Sequence, residues 1–199
     1  MGWSRNFGNP EGVFGRMLLY MMNRSHGPLS RWGLSHVAWR PDMSALDVGC
    51  GGGMTVKRLL ELCSEGAVSG IDISVASVKK SSRLNADHID GRCDIQLASV
   101  EDIPYPDNTF DVVTAVETHY FWPDLDGCVR EIRRVLRPGG TLMICADISD
   151  PECIWGRVVE GLRICSGDRL AEVLVQAGLR EVTLDRLHGQ WICVTGKKA

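Results

Sequence analysis

Leu46-Asp47-Val48-Gly49-Cys50-Gly51-Gly52-Gly53 is the stretch that decides how this chain folds. An apolar run containing one acidic residue leads into a loop of glycines. Beyond it, the spacing of Val56, Leu59, Leu60 and Cys63 predicts a helix. Glycine is needed where backbone adopts φ > 0 or must approach a ligand with no Cβ in the way. Between a strand and a helix N-terminus, such a loop presents N–H groups at the positive end of the helix dipole. It forms a cradle for the polar end of a small molecule.

Outward from the loop, strands and helices alternate. A strand over 45–48 precedes a helix over 55–63. A second strand over 67–73 reaches Asp72 and hands over to a helix opened by Ser74 as N-cap. A third strand covers 94–98. The fourth, 110–116, is a continuous apolar run of the kind buried on both faces of a parallel sheet. Leu125, Val129, Ile132 and Leu136 share one face of a helix over 124–136, which Arg137-Pro138-Gly139-Gly140 stops before a fifth strand over 141–146. Ser166 caps a helix through Ala177 that ends at Gly178. Strands over 179–187 and 190–195, with His188-Gly189 as the turn, predict an antiparallel hairpin at the sheet edge. The expected class is α/β: a three-layer α/β/α sandwich whose ligands lie outside the carboxyl ends of the strands.

The 199 residues suit one domain, with 44% hydrophobic and 24% charged residues. A net charge of -3 argues against a nucleic-acid or anionic-membrane partner, since both need a basic face. Arg130, Arg133, Arg134 and Arg137 read as the solvated side of one helix. The apolar run 17–22 is too short for a signal-peptide core or a membrane span. The eight cysteines form no C-x-x-C pair and several sit in apolar segments, so they read as buried free thiols without a metal site. A reducing, cytoplasmic location is expected.

Two ligands compete for the glycine loop. A dinucleotide fingerprint requires G-x-G-x-x-G or a closing Ala, and here the sixth position is Met54 or, in the other register, Val56. Neither register closes. The pattern Asp47-x-Gly49-x-Gly51-x-Gly53 followed by Gly70-Ile71-Asp72-Ile73-Ser74 instead resembles the first two motifs of class I S-adenosylmethionine-dependent methyltransferases. Val100-Glu101-Asp102-Ile103-Pro104-Tyr105-Pro106-Asp107-Asn108-Thr109-Phe110-Asp111 is similar to the family's lead into its fourth strand. Arg134-Val135-Leu136-Arg137-Pro138-Gly139-Gly140 is similar to its turn into the fifth. The matches stand in order over about residues 44–147.

The resemblance implies a Rossmann-like, mostly parallel seven-stranded sheet with the hairpin at its end, and a cofactor-binding core over 44–147. An N-terminal helical cap over 1–40 and C-terminal helices and hairpin over 148–199 would complete the domain. S-adenosyl-L-methionine would be the cofactor and S-adenosyl-L-homocysteine the product. Asp72 would accept both ribose hydroxyls, Gly49 and Gly51 would let backbone meet the methionine moiety, and Asp47 would stand near its ammonium. Ile73 would pack on adenine. Ser99 stands where many members carry an Asp that reads the adenine amino group, which leaves that task to a weaker hydroxyl and to backbone around Val100.

Methyl transfer from a sulfonium needs alignment, desolvation and in some cases a base. Past the fourth strand the chain reads Glu117-Thr118-His119-Tyr120-Phe121-Trp122-Pro123. There Glu117 is expected to contact cofactor or close the pocket, and His119 to act as general base. Tyr120, a catalytic candidate together with His119, is expected to line an aromatic acceptor pocket with Trp122, and Trp155 and Arg163 to complete its wall. A helical cap over about 10–36, containing Met17, Met21 and Met22, is expected over the acceptor, a small molecule. The assembly expected is a monomer or homodimer. Two rival functions remain open at this point: a non-catalytic S-adenosylmethionine-binding regulatory module, and a nicotinamide-dependent oxidoreductase.

Overall fold

Every residue of β1 (Ala45–Val48) is buried, and its position in the sheet explains why. The computed structural model describes residues 27–89, 91–159, 161–187 and 190–199. Within them β1 lies between β2 (Val68–Asp72) and β4 (Phe110–Val116), parallel to both, with Asp47 level with Gly70 on one side and Thr114 on the other. β3 (Cys93–Leu97) pairs outside β2, and β5 (Leu136–Ala146) outside β4. β7 (Trp191–Lys198) runs antiparallel between β5 and β6 (Leu179–Leu187), giving the order β3-β2-β1-β4-β5-β7-β6. The chain moves outward from β1 through β2 to β3, then returns to the other flank of β1 as β4. At that reversal the connections leave in opposite directions and open a crevice beyond the strand ends.

Helices cover both faces. α1 (Gly27–Leu34) and α2 (Met54–Leu62) lie on one side, where Leu29, Val56 and Leu59 pack with Ala45, Val112, Met143 and Cys193. α4 (Leu125–Val135) and α6 (Gly167–Gln176) lie on the other, against Leu46, Val113, Leu142 and Ile144. Alternate residues of β4 and β5 thus feed two separate cores, which is why both strands are mostly apolar over 112–116 and 142–146. α3 (Val75–Leu84) follows β2, and α5 (Trp155–Val158) follows β5. Ser74 caps α3 by accepting from Ser77 N, and Ser166 caps α6 by accepting from Arg169 N. The seven-stranded, mostly parallel sheet with an antiparallel C-terminal hairpin is therefore the architecture expected from the sequence.

Three local expectations need correction. The fifth strand starts at Leu136 rather than 141: pairing passes from Phe110↔Leu136 to Val112↔Thr141, so Arg137-Pro138-Gly139-Gly140 bulges out within the strand instead of preceding it. The arginines of α4 are not simply a solvated face. Arg134 donates to the carbonyls of Tyr105 and Ile103 (both 2.9 Å) and pairs with Glu131 and Asp107, tying the β3–β4 connection to the helix. Arg137 pairs with Asp111. Six of the cysteines are buried, but Cys153 and Cys165 are partly exposed, and all eight are free. The His188-Gly189 turn and the expected cap up to residue 26, with its methionines, lie outside the described residues. No helix among them is long and apolar enough to cross a membrane.

Candidate active site

The crevice between the ends of β1 and β4 widens into a cavity of about 240 Å³. Its floor is the glycine loop. Gly49 has φ +70°, and a Cβ there would lie 2.1 Å from Thr118 Oγ1, so only glycine lets the loop pass under the β4 connection. Gly51, at φ +51°, donates its N–H to Asp72 Oδ2 (2.9 Å). Asp72 Oδ1 accepts from Ser74 N (2.8 Å), so one carboxylate at the end of β2 fixes both the glycine loop and the start of α3. Burial raises the pKa of Asp72, and these two N–H groups oppose the rise.

All eight residues expected at the cofactor border this one cavity: Asp47, Gly49 and Gly51 on the first loop, Asp72 and Ile73 after β2, Ser99 and Val100 after β3, and Glu117 after β4. Asp47 is 2% exposed and accepts from Thr114 Oγ1 (2.7 Å). Burial pushes its carboxyl up to about 7 despite that hydrogen bond. Ile73 is 54% exposed, an apolar surface at the cavity edge suited to a planar ring. The Ser99 hydroxyl accepts from Glu101 N (3.2 Å) and faces Glu101 Oε2 (3.3 Å), so its hydrogen-bonding capacity is already partly spent within the turn.

The two residues expected to carry chemistry are placed differently. His119 is 3% exposed, does not border the cavity, and has no hydrogen-bond partner for either ring nitrogen among the described residues. Burial pushes its pKa down to about 3. A ring whose burial opposes taking up a proton, and which does not border the cavity, is not placed to act as general base on a ligand held there. The short 3-10 turn over His119–Phe121 rotates this ring inward, against Tyr120 and Trp122. Tyr120 is also buried; its hydroxyl donates to Glu117 Oε1 (3.3 Å) and accepts from Ile148 N (3.0 Å), bracing the chain after β5. Phe121, Trp122 and Thr118 take the cavity-facing positions instead. Arg163 donates from its backbone N to Tyr120 O (2.8 Å) and from its side chain to Pro123 O, which holds the outer segment against this turn.

His119→Phe is therefore expected to leave cofactor affinity within a factor of two. Unfolded, His119 takes a proton near pH 6.5, whereas in the fold it stays neutral to about pH 3. The native protein loses stability over that interval as pH falls, by about 2 kcal/mol at pH 5. Phe removes this cost. Urea unfolding at pH 5 and pH 7 checks it: the variant should gain on the parent at the lower pH.

Glu117 is a strained position, with φ +60° for a residue that carries a Cβ. Its carboxyl accepts from Asp147 N, and burial, then the Asp147 charge, raises its pKa well above the carboxylate range. Glu117 Oε1 also accepts from the Tyr120 hydroxyl, so one oxygen of this carboxyl gathers two donors at the cavity wall. Ser30 of α1, and Thr55 and Arg58 of α2, border the cavity too, and sequence reasoning missed them. A signal was present: Thr55 and Arg58 are three apart on the polar flank of α2, facing away from the Val56–Leu59–Leu60 stripe.

Comparison with known proteins agrees with this geometry. Residues 46–144 match the methyltransferase domain family. Cycloartenol-C-24-methyltransferase 1 of Oryza sativa subsp. japonica is 38% identical over 101 residues, covering 50% of this chain and 29% of that protein. The 27-O-demethylrifamycin SV methyltransferase of Amycolatopsis mediterranei is 38% identical over 100 residues, covering 50% of this chain and 36% of its own length. The chain thus spans only about a third of these relatives. Geranyl diphosphate C-methyltransferase from Streptomyces coelicolor A3(2), solved with Mg2+, geranyl diphosphate and S-adenosyl-L-homocysteine, superposes with a TM-score of 0.76 at 15% identity, covering 98% of this chain and 89% of that one. The chain belongs to the class I S-adenosylmethionine-dependent methyltransferases.

Proposed function

We propose that this protein transfers a methyl group from S-adenosylmethionine to a small-molecule acceptor. The observation that carries this reading is the convergence of the eight residues from Asp47 to Glu117 on one cavity. The cradle suits the cofactor: φ-positive glycines that leave no Cβ over the floor, carboxylates at Asp47 and Asp72, and the exposed apolar Ile73. Asp72 would hold the ribose, Asp47 the ammonium, and Ile73 with backbone at Ser99 and Val100 the adenine. When bound, the sulfonium supplies an electrophilic methyl carbon and a neutral thioether leaving group. The chain's own part is alignment and exclusion of water. Thr118, Phe121 and Trp122 form the wall where an acceptor would lie, with the Glu117 carboxyl beside them. Relatives named for cycloartenol and 27-O-demethylrifamycin SV favour a small, largely apolar acceptor.

Incubation of the protein with methyl-labelled S-adenosylmethionine and a metabolite extract, followed by mass spectrometry, tests the reading. A labelled product that requires the protein is expected. Binding of S-adenosylhomocysteine with no transfer to any metabolite would favour a non-catalytic module. Tight NADH binding without S-adenosylhomocysteine binding would overturn the cofactor assignment.

A further inference from the structure

α3 differs from α2, α4 and α6 in what it buries. Those helices turn leucine, isoleucine or valine inward, whereas the buried residues of α3 are Ser77 and Ser81. Asn85, at the helix end and 3% exposed, continues their line. Each stands four positions from the last, so the three share one face. Such side chains gain little from the hydrophobic effect, and hydrogen bonds must carry more of the docking.

That face meets the glycine loop. At the end of β2, Ile71 O accepts from Gly49 N (2.8 Å) and Cys50 N (3.0 Å), and Asp72 Oδ2 accepts from Gly51 N, so the first half of the loop is laid on β2. The far end is Gly53, which precedes α2 at φ +85° and offers no side-chain cap. Its carbonyl accepts from Lys57 N within α2 (3.0 Å) and from Asn85 Nδ2 (3.2 Å). The same Nδ2 donates to Ser81 O (3.0 Å). A Cβ on Gly53 would lie 2.7 Å from Ser81 Oγ and 2.8 Å from Asn85 Nδ2, so helix and loop meet here with no loop side chain between them. Ser77 borders the cavity together with Asp72, while Ser81 and Asn85 do not. α3 therefore touches the cavity near one end and holds the loop at the other.

We propose that Asn85 is a positioning residue: it fixes the far end of the glycine loop from the end of α3, so that loop and helix become ordered as one unit when the cofactor binds. This rests on the cofactor reading above. A bound methionine moiety restrains the loop at Gly49 and Gly51. The restraint passes through Gly53 O to Asn85 and stabilises the last turns of α3, which have little apolar burial of their own. Asn85 thus acts on the cofactor through the loop and without touching it.

Hydrogen exchange and calorimetry with S-adenosylhomocysteine and 5′-methylthioadenosine test the proposal. The second ligand keeps adenosine and sulfur but lacks the amino-acid portion that meets the loop. In the unaltered protein, saturating S-adenosylhomocysteine is expected to slow amide exchange over 80–85 by about tenfold or more, and methylthioadenosine to slow it far less. Asn85→Ala is expected to weaken S-adenosylhomocysteine about three- to tenfold, the range of one neutral hydrogen bond, and methylthioadenosine by less than about twofold. At matched occupancy the variant should also lose the protection over 80–85. Equal weakening of both ligands would overturn the positioning role, because a general loosening of the fold does not discriminate between them. So would unchanged exchange over 80–85 in the unaltered protein, or equal protection by both ligands, and these two results need no variant. Failure of the unaltered protein to bind S-adenosylhomocysteine would defeat the cofactor reading itself, and the positioning role with it.

Discussion

Asp72→Ala is expected to weaken S-adenosylhomocysteine binding by 100-fold or more. Each oxygen of this carboxylate already accepts one backbone N–H, from Gly51 and from Ser74. Each oxygen retains a second lone pair, and the group borders the cavity. Two ribose hydroxyls taken up by those lone pairs make two charge-assisted hydrogen bonds, worth about 1.5–3 kcal/mol each. Their joint loss is about 3 kcal/mol or more, hence the two orders of magnitude. The fold should survive, because Ser74 still caps α3 through its hydroxyl and removing a buried charge relieves its desolvation. Calorimetry on a variant with an unchanged circular dichroism spectrum makes the measurement. A loss smaller than fivefold would mean that Asp72 serves only to hold the loop.

Asp47→Asn should separate stability from binding. Unfolded, this aspartate ionises near pH 3.8; folded, it keeps its proton to about pH 7. Between those values the native state binds the extra proton, so its stability falls as pH rises and stays low above 7. About three pH units at 1.36 kcal/mol each bring the difference to about 4 kcal/mol, an upper value because the buried site can relax. Asn preserves the size and can still accept from Thr114, but it does not titrate. The variant is expected to match the parent near pH 4 and to exceed it increasingly up to pH 7, while binding S-adenosylhomocysteine at least 10-fold more weakly. Urea unfolding from pH 4 to 8 reads the first effect and calorimetry the second. A stability gap that does not change with pH would mean that Asp47 titrates as an ordinary carboxylate. The stability sacrificed by an ionised Asp47 is what makes the cavity receptive to a cation.

The parts legible in the sequence were those whose signal is local. Ser74 and Ser166 each precede a helix and cap it as their chemistry requires. The continuous apolar runs of β4 and β5 follow from burial on two faces, and the glycine loop follows from its positive φ angles. Boundaries failed where a long-range pairing intervened, as at Leu136, whose early entry into the sheet is set by its partner Phe110. Arg134 looked solvated because a helix pattern says nothing about the segment over 103–107 that lies across it.

The sequence by itself determined the sheet, the loop and the group of residues that a shared cofactor would need, because these are written in periodicity, caps and short-range spacing. Only the tertiary structure decided which polar groups meet the cavity. His119 carries a reactive ring in a suggestive position, yet one short turn directs it into the core and burial holds it in the neutral form. Arg58 carries no motif, yet the packing of α1 over α2 sets it beside Ser30 and Thr55, within reach of the Asp47 charge. Spacing along a chain fixes which residues share an element. The direction of a side chain, and the dielectric around it, depend on neighbours that only the folded chain assembles.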